Sequence, residues 1–86
     1  MPEICRFLGI SILMYFNDHS PAHIHVRYND DRATIRIDDC VVLSGKLPPR
    51  VLGLVTEWAN LHREELQQNW QTLRESGEWK KIDPLV

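Results

Sequence analysis

Only two cysteines are present, Cys5 and Cys40, too few for a disulfide framework. Both are expected to be reduced core residues, because free cysteine is among the most buried residue types. Long apolar runs are missing as well. The longest, "GISILMYF" at 9–16, falls far short of the roughly 18 residues that a membrane span requires, so a soluble protein is expected. The opening "MPEICRFLG" lacks the basic segment and apolar stretch of a secretory signal, and the expected location is the cytoplasm. A clear excess of either charge is lacking too: 10 Lys and Arg face 12 Asp and Glu for a formal net charge of −2, which argues against holding nucleic acid by bulk electrostatics but leaves room for a local basic face. There is no phosphate-cradling glycine loop, no nucleophile elbow and no helical zinc motif, so those enzyme classes have no support.

What is present fits one small folded domain over 1–86. The chain is 43% hydrophobic and has three tryptophans. A chain this short buries only roughly 60% of its unfolded surface and has to share one core. The first half, about 3–44, reads as strands. "ICRF" and "ISILMYF" flank Leu8-Gly9, "AHIHVRY" follows the loop "NDHSP", "RATIRI" follows the turn "NDD" at 29–31, and a short run spans Val41–Leu43. The short turns suit an antiparallel meander of three to five strands.

The second half changes period. Pro48-Pro49 suits a helix start and Gly77 a C-terminal cap, which predicts one long helix over about 48–75 and a tail over 76–86. Val51, Leu54, Val55, Trp58, Leu61, Leu66, Trp70 and Leu73 fall on one broad arc of that helix, with Arg63 opposite. The arc needs a sheet to lie on. Ile10, Ile12, Met14 and Phe16 share one side of their strand, as do Ile24 with Val26, and Ala33 with Ile35 and Ile37. The expected fold is therefore α+β, a small N-terminal antiparallel sheet with one long C-terminal helix packed across one face, in two layers.

Alternation then sends His23, His25 and Arg27 to the face away from the helix, with Tyr15 from one neighbouring strand and Thr34 and Arg36 from the other. Three of the four histidines crowd into "HSPAHIH" at 19–25, and three chemistries suit that cluster. In the first, His25 with His23 or Tyr15 transfers protons during RNA cleavage by the ribose 2′-hydroxyl, while Arg27 and Arg36 hold phosphate; this scheme needs no cofactor. In the second, His23 and His25, about 7 Å apart along a strand, converge on a divalent metal such as zinc, with Asp18 or His19 as a third ligand. In the third, the face binds RNA or a protein without catalysis. An exposed polar face with some His and Arg is also what any two-layer protein shows to water. His62, between Trp58 and Leu66, is expected to be a core histidine bonded to Glu65 or Asn69. Trp58 and Trp70 belong to the core, and Trp79 either closes it or marks a partner surface.

The order "MPEICRFLGISILMYFNDHSPAHIHVRY", "IDD", "GKLPPR", "LVTEWANLHREEL", "NW" and "KKIDPL" resembles a bacterial family of small proteins known as the domain of unknown function numbered 4160. Asp18, His19, Pro21, His23 and His25 match its loop-and-strand motif, and the segment from Leu61 to Leu66 with Asn69-Trp70 matches its helix motif. At 29–31 "NDD" stands where the family pattern has glycines. The resemblance implies a partner, a second small protein encoded nearby, in an arrangement similar to toxin–antitoxin pairs. On that basis the chain is expected to be the toxin-like component, a metal-independent ribonuclease, with a non-enzymatic metal-, RNA- or protein-binding module as the alternative.

Overall fold

The computed structural model describes residues 2–86. Five strands, β1 (Glu3–Phe7), β2 (Ile10–Leu13), β3 (His23–Tyr28), β4 (Asp31–Arg36) and β5 (Val42–Lys46), precede two helices, α1 (Pro49–Leu61) and α2 (Arg63–Ser76). Each strand pairs antiparallel with the next, in the order β1-β2-β3-β4-β5. The meander follows from tight turns. Leu8 and Gly9 both take left-handed backbone angles, φ 51° and 78°, which match the twist of a two-residue hairpin between Phe7 and Ile10. At the second hairpin Asn29 takes φ 53° in place of a glycine, a conformation that asparagine tolerates better than most residues.

The alternating residues meet the helices as patterning requires. Ile12, Ile24, Val26, Ile35 and Ile37 are buried in one cluster with Val51, Val55, Trp58, Leu66 and Leu73. Pro49 opens α1 and Gly77 caps α2 at φ 79°, its N–H reaching the Leu73 carbonyl at 3.1 Å. No helix among the described residues is long and apolar enough to cross a membrane.

The one long helix is not there: His62, at φ −117° and ψ 25°, separates α1 from α2. No proline or glycine marks the spot. The chain is held there by a long-range tie, the Arg63 Nε donating to the Ile37 carbonyl at 3.2 Å, while the Arg63 guanidinium also bonds Asn60. Arg63 is therefore half-buried rather than opposite the core, and Leu61, placed on the apolar arc by a continuous projection, is 67% exposed. Ala59 and Asn69 are buried in its stead. Phe16 also departs from expectation. β2 ends at Leu13, so alternation stops and Phe16 is exposed although Met14 is buried.

The tail is strapped to the core. Ile82 is buried and its N–H donates to the Ile4 carbonyl at 2.9 Å, on the outer edge of β1. Trp58 Nε1 donates to the Asp83 carbonyl at 2.8 Å, and the Asn69 amide makes two bonds to the Lys80 backbone, at 2.7 and 3.0 Å. This explains a buried asparagine: its amide has both a donor and an acceptor partner. Both cysteines are free, Cys5 buried and Cys40 half-buried, and burial raises the Cys5 thiol pKa.

Candidate metal centre and cationic cleft

β3 begins at His23, and the loop before it doubles back so that Asp18 lies over the strand's first residues. A turn helps: the Asp18 N–H points to the Tyr15 carbonyl at 3.4 Å. One carboxylate oxygen, Asp18 Oδ2, then lies 2.9 Å from His25 Nε2 and 3.3 Å from His23 Nε2. Asp18, His23 and His25 each offer one ligand atom, all within 4.8 Å of one another, and no further His, Cys, Asp or Glu among the described residues joins them. His19, the other suggested third ligand, is exposed and outside the group.

The protonation of His23 follows from its second nitrogen. His23 Nδ1 is 2.7 Å from the Pro21 carbonyl, and a carbonyl only accepts, so Nδ1 carries a proton. In neutral His23 the other nitrogen, Nε2, is then a bare lone pair aimed at a carboxylate. Two lone pairs face each other across 3.3 Å unless a proton, on the ring or on the carboxyl, or a metal ion lies between them. Around an ion with bonds of about 2.0–2.1 Å, ligand atoms in a tetrahedron are spaced about 3.3 Å apart, close to the 3.3 and 2.9 Å that separate Asp18 Oδ2 from the two imidazoles.

Alternation placed His23 on the open face, yet its surroundings are closed. Only 9% of His23 is exposed, because the Trp70 ring from α2 lies 5.1 Å from its ring. His25 is half-buried, with the Tyr15 ring edge-on at 4.3 Å and the His23 ring at 5.0 Å.

Beyond His25 a cleft of about 240 Å³ opens over β3, β4 and β5, lined by Tyr15, His25, Arg27, Arg32, Thr34 and Ser44 among others. The register explains the lining: His25, Thr34 and Ser44 are partners across the three strands, and Arg27 and Arg32 are partners two residues along, while Lys46, the β5 partner of Arg32, lies outside the lining. Gly45 lets β5 come close. At φ 74°, a Cβ there would sit 2.1 Å from the Arg32 carbonyl oxygen. Arg27 Nη2 donates to the Tyr15 hydroxyl at 3.4 Å.

The two arginines assigned to phosphate differ in availability. Arg27 lines the cleft, whereas Arg36, opposite His23, makes a two-pronged pair with Asp39 at 2.9 and 2.8 Å. That guanidinium holds the Asp39 carboxyl down to about 2. Arg32 and Lys46 went unassigned in the sequence. For Arg32 the signal was present, since it shares the parity of Thr34 and Arg36; Lys46 lay past the assumed end of the last strand.

His62 stands apart from this site. Its Nδ1 donates to Glu65 Oε1 at 2.6 Å, its ring lies 5.5 Å from that of Trp58, and its side chain is 17% exposed. Glu65 is the expected partner, but the ring borders solvent because α1 ends there.

The family model for a domain of unknown function (DUF4160) matches residues 9–71. The chain belongs to this family. The DUF4160 match runs from β2 into α2 and takes in Asp18, His23, His25, Arg27, Arg32, Lys46 and His62, while β1 and the tail strap fall outside it. No curated protein and no solved structure matches the chain.

Proposed function

We propose that Asp18, His23 and His25 hold a divalent transition-metal ion of the zinc class, and that the chain is a metal-dependent hydrolytic enzyme working in the adjoining cleft. One observation carries the reading: the Pro21 carbonyl fixes the proton of His23 on Nδ1, leaving Nε2 to face Asp18 and the Nε2 of His25. Metal-binding histidines are commonly held in this way, with the non-ligating nitrogen donating to a backbone carbonyl. Two imidazoles and a carboxylate suit zinc, and three protein ligands match the number found at catalytic rather than structural zinc sites. When bound, such an ion supplies a water acidic enough to attack at neutral pH. The chain's own groups do the rest. Trp70 shields His23, Tyr15 sets the edge of His25, and Arg27 presents positive charge toward an anionic substrate.

A second reading keeps the same residues without a metal. His25 Nε2 donating to Asp18 at 2.9 Å, with Tyr15 and Arg27 beside it, supports acid–base cleavage of RNA, and the toxin-like role with a small partner encoded nearby rests on the resemblance alone. The experiment is zinc titration of metal-free protein against a chromophoric chelator, with RNA cleavage followed before and after chelation. One zinc per chain and activity lost to the chelator support the metal centre. No zinc uptake, or cleavage untouched by chelation, overturns it.

A further inference from the structure

We propose that the row Arg27–Arg32–Lys46 seats the phosphates of a single-stranded RNA, so that a phosphodiester lies in the cleft beside His25. The inference rests on the hydrolytic reading only for where the reaction occurs; the row itself is a separate feature. Arg27 faces Arg32 across β3–β4, and Arg32 faces Lys46 across β4–β5. Strands lie about 4.8 Å apart, so three cations cross the sheet in a line of roughly 10 Å. None of the three takes part in an ion pair among the described residues, while Arg6 and Arg36 on the same sheet are paired with Glu3 and Asp39.

Unpaired cations side by side repel one another, and an anion shared between them relieves that repulsion. A phosphate chain is the anion whose charges are themselves in a row. The neighbouring line of the sheet favours RNA over DNA. Thr34, opposite His25, and Ser44, its partner one strand farther, bring two hydroxyls to the cleft wall, and a ribose 2′-hydroxyl can both donate to and accept from such groups. The cleft, about 240 Å³, is on the scale of a single sugar-phosphate unit and far too small for a duplex.

The test is fluorescence anisotropy with a labelled single-stranded RNA of about twelve nucleotides, at several salt concentrations, in chelator and with zinc. Arg32 and Lys46 are exposed, so Arg32→Ala and Lys46→Ala leave the core untouched. Each is expected to weaken binding by roughly 3- to 10-fold and to lower the salt slope by about 0.7, the value for neutralising one phosphate fewer on a single strand. Arg36→Ala, whose guanidinium is already taken by Asp39, is expected to change affinity less than about 2-fold. Zinc uptake should be the same in all three variants. No binding by the unaltered protein overturns the proposal, as does a loss on Arg36→Ala without one on Arg32→Ala. Equal affinity for the DNA strand of the same sequence overturns the RNA assignment. RNA binding that follows the cation row in a protein that takes up no zinc would leave this proposal standing while removing the metal centre.

Discussion

At the start of β3 two imidazoles share one carboxylate oxygen, whereas at the α1–α2 junction a single imidazole, His62, meets Glu65 three residues along the chain. Both are histidine–carboxylate pairs at short distance. They differ in what holds them. Glu65 reaches His62 within one helical turn and is itself 54% exposed, so the pair can form and break at little cost. Asp18 comes from a loop, His23 and His25 from a strand, and the second nitrogen of His23 is tied to the Pro21 backbone. Groups brought together from separate segments, with one ring orientation fixed by the backbone, are positioned by the fold rather than by a single helical turn, and positioning of that kind distinguishes a site from a surface contact.

The largest expected effect that separates the two pairs is on metal affinity. Asp18→Asn keeps the size of the side chain but removes the charge, and should weaken zinc binding by about 100-fold or more, beyond the range seen when a residue that merely supports a ligand is replaced. His62→Ala should leave zinc binding unchanged, and the two variants can be compared directly in chelator competition. A smaller effect belongs to stability. His62→Ala removes a partly exposed hydrogen bond and the packing against Trp58, and should lower the unfolding free energy by roughly 0.5–1.5 kcal/mol in a urea titration of metal-free protein. A decrease well above that range would mean that the junction depends on His62 more than its solvent-bordering position implies.

Much of this was legible in the sequence, and two of the exceptions share a cause. The strand alternation of Ile24 and Val26 against His25 and Arg27, the Leu8-Gly9 turn, the proline start and the glycine cap are local signals, and the structure carries all of them. The helix break coincides with Arg63 reaching the Ile37 carbonyl, and His23 is covered by Trp70, both contacts between residues far apart in the chain. Periodicity carries no information about such contacts. Asp18 lay between these cases: its type and its distance from the histidines named it as a metal ligand, but the fold of the loop decided that it, and not His19, faces them.

The smallest expected effect comes from the pair between Arg36 and Asp39, a local contact on the exposed side of the sheet. Its guanidinium holds Asp39 at about 2 against an ordinary 3.8, so its contribution to stability is full above about pH 4 and is lost as the pH falls through about 2. A carbon-detected NMR titration of the Asp39 carboxyl should show a midpoint below the usual aspartate range, and Arg36→Ala should return it there. An Asp39 midpoint already in the ordinary range would show that the pair does not persist in solution, and would leave the Arg36 guanidinium free beside His23.

The most direct measurement is long-range ¹H–¹⁵N NMR of the imidazole rings, recorded on metal-free protein and again after one equivalent of zinc. The expected result is that the Nε2 signals of His23 and His25 move together on zinc addition, that His23 Nδ1 stays protonated in both spectra, and that His19 and His62 do not respond. Unmoved His23 and His25 signals, or a zinc response at His62 instead, would contradict the metal centre.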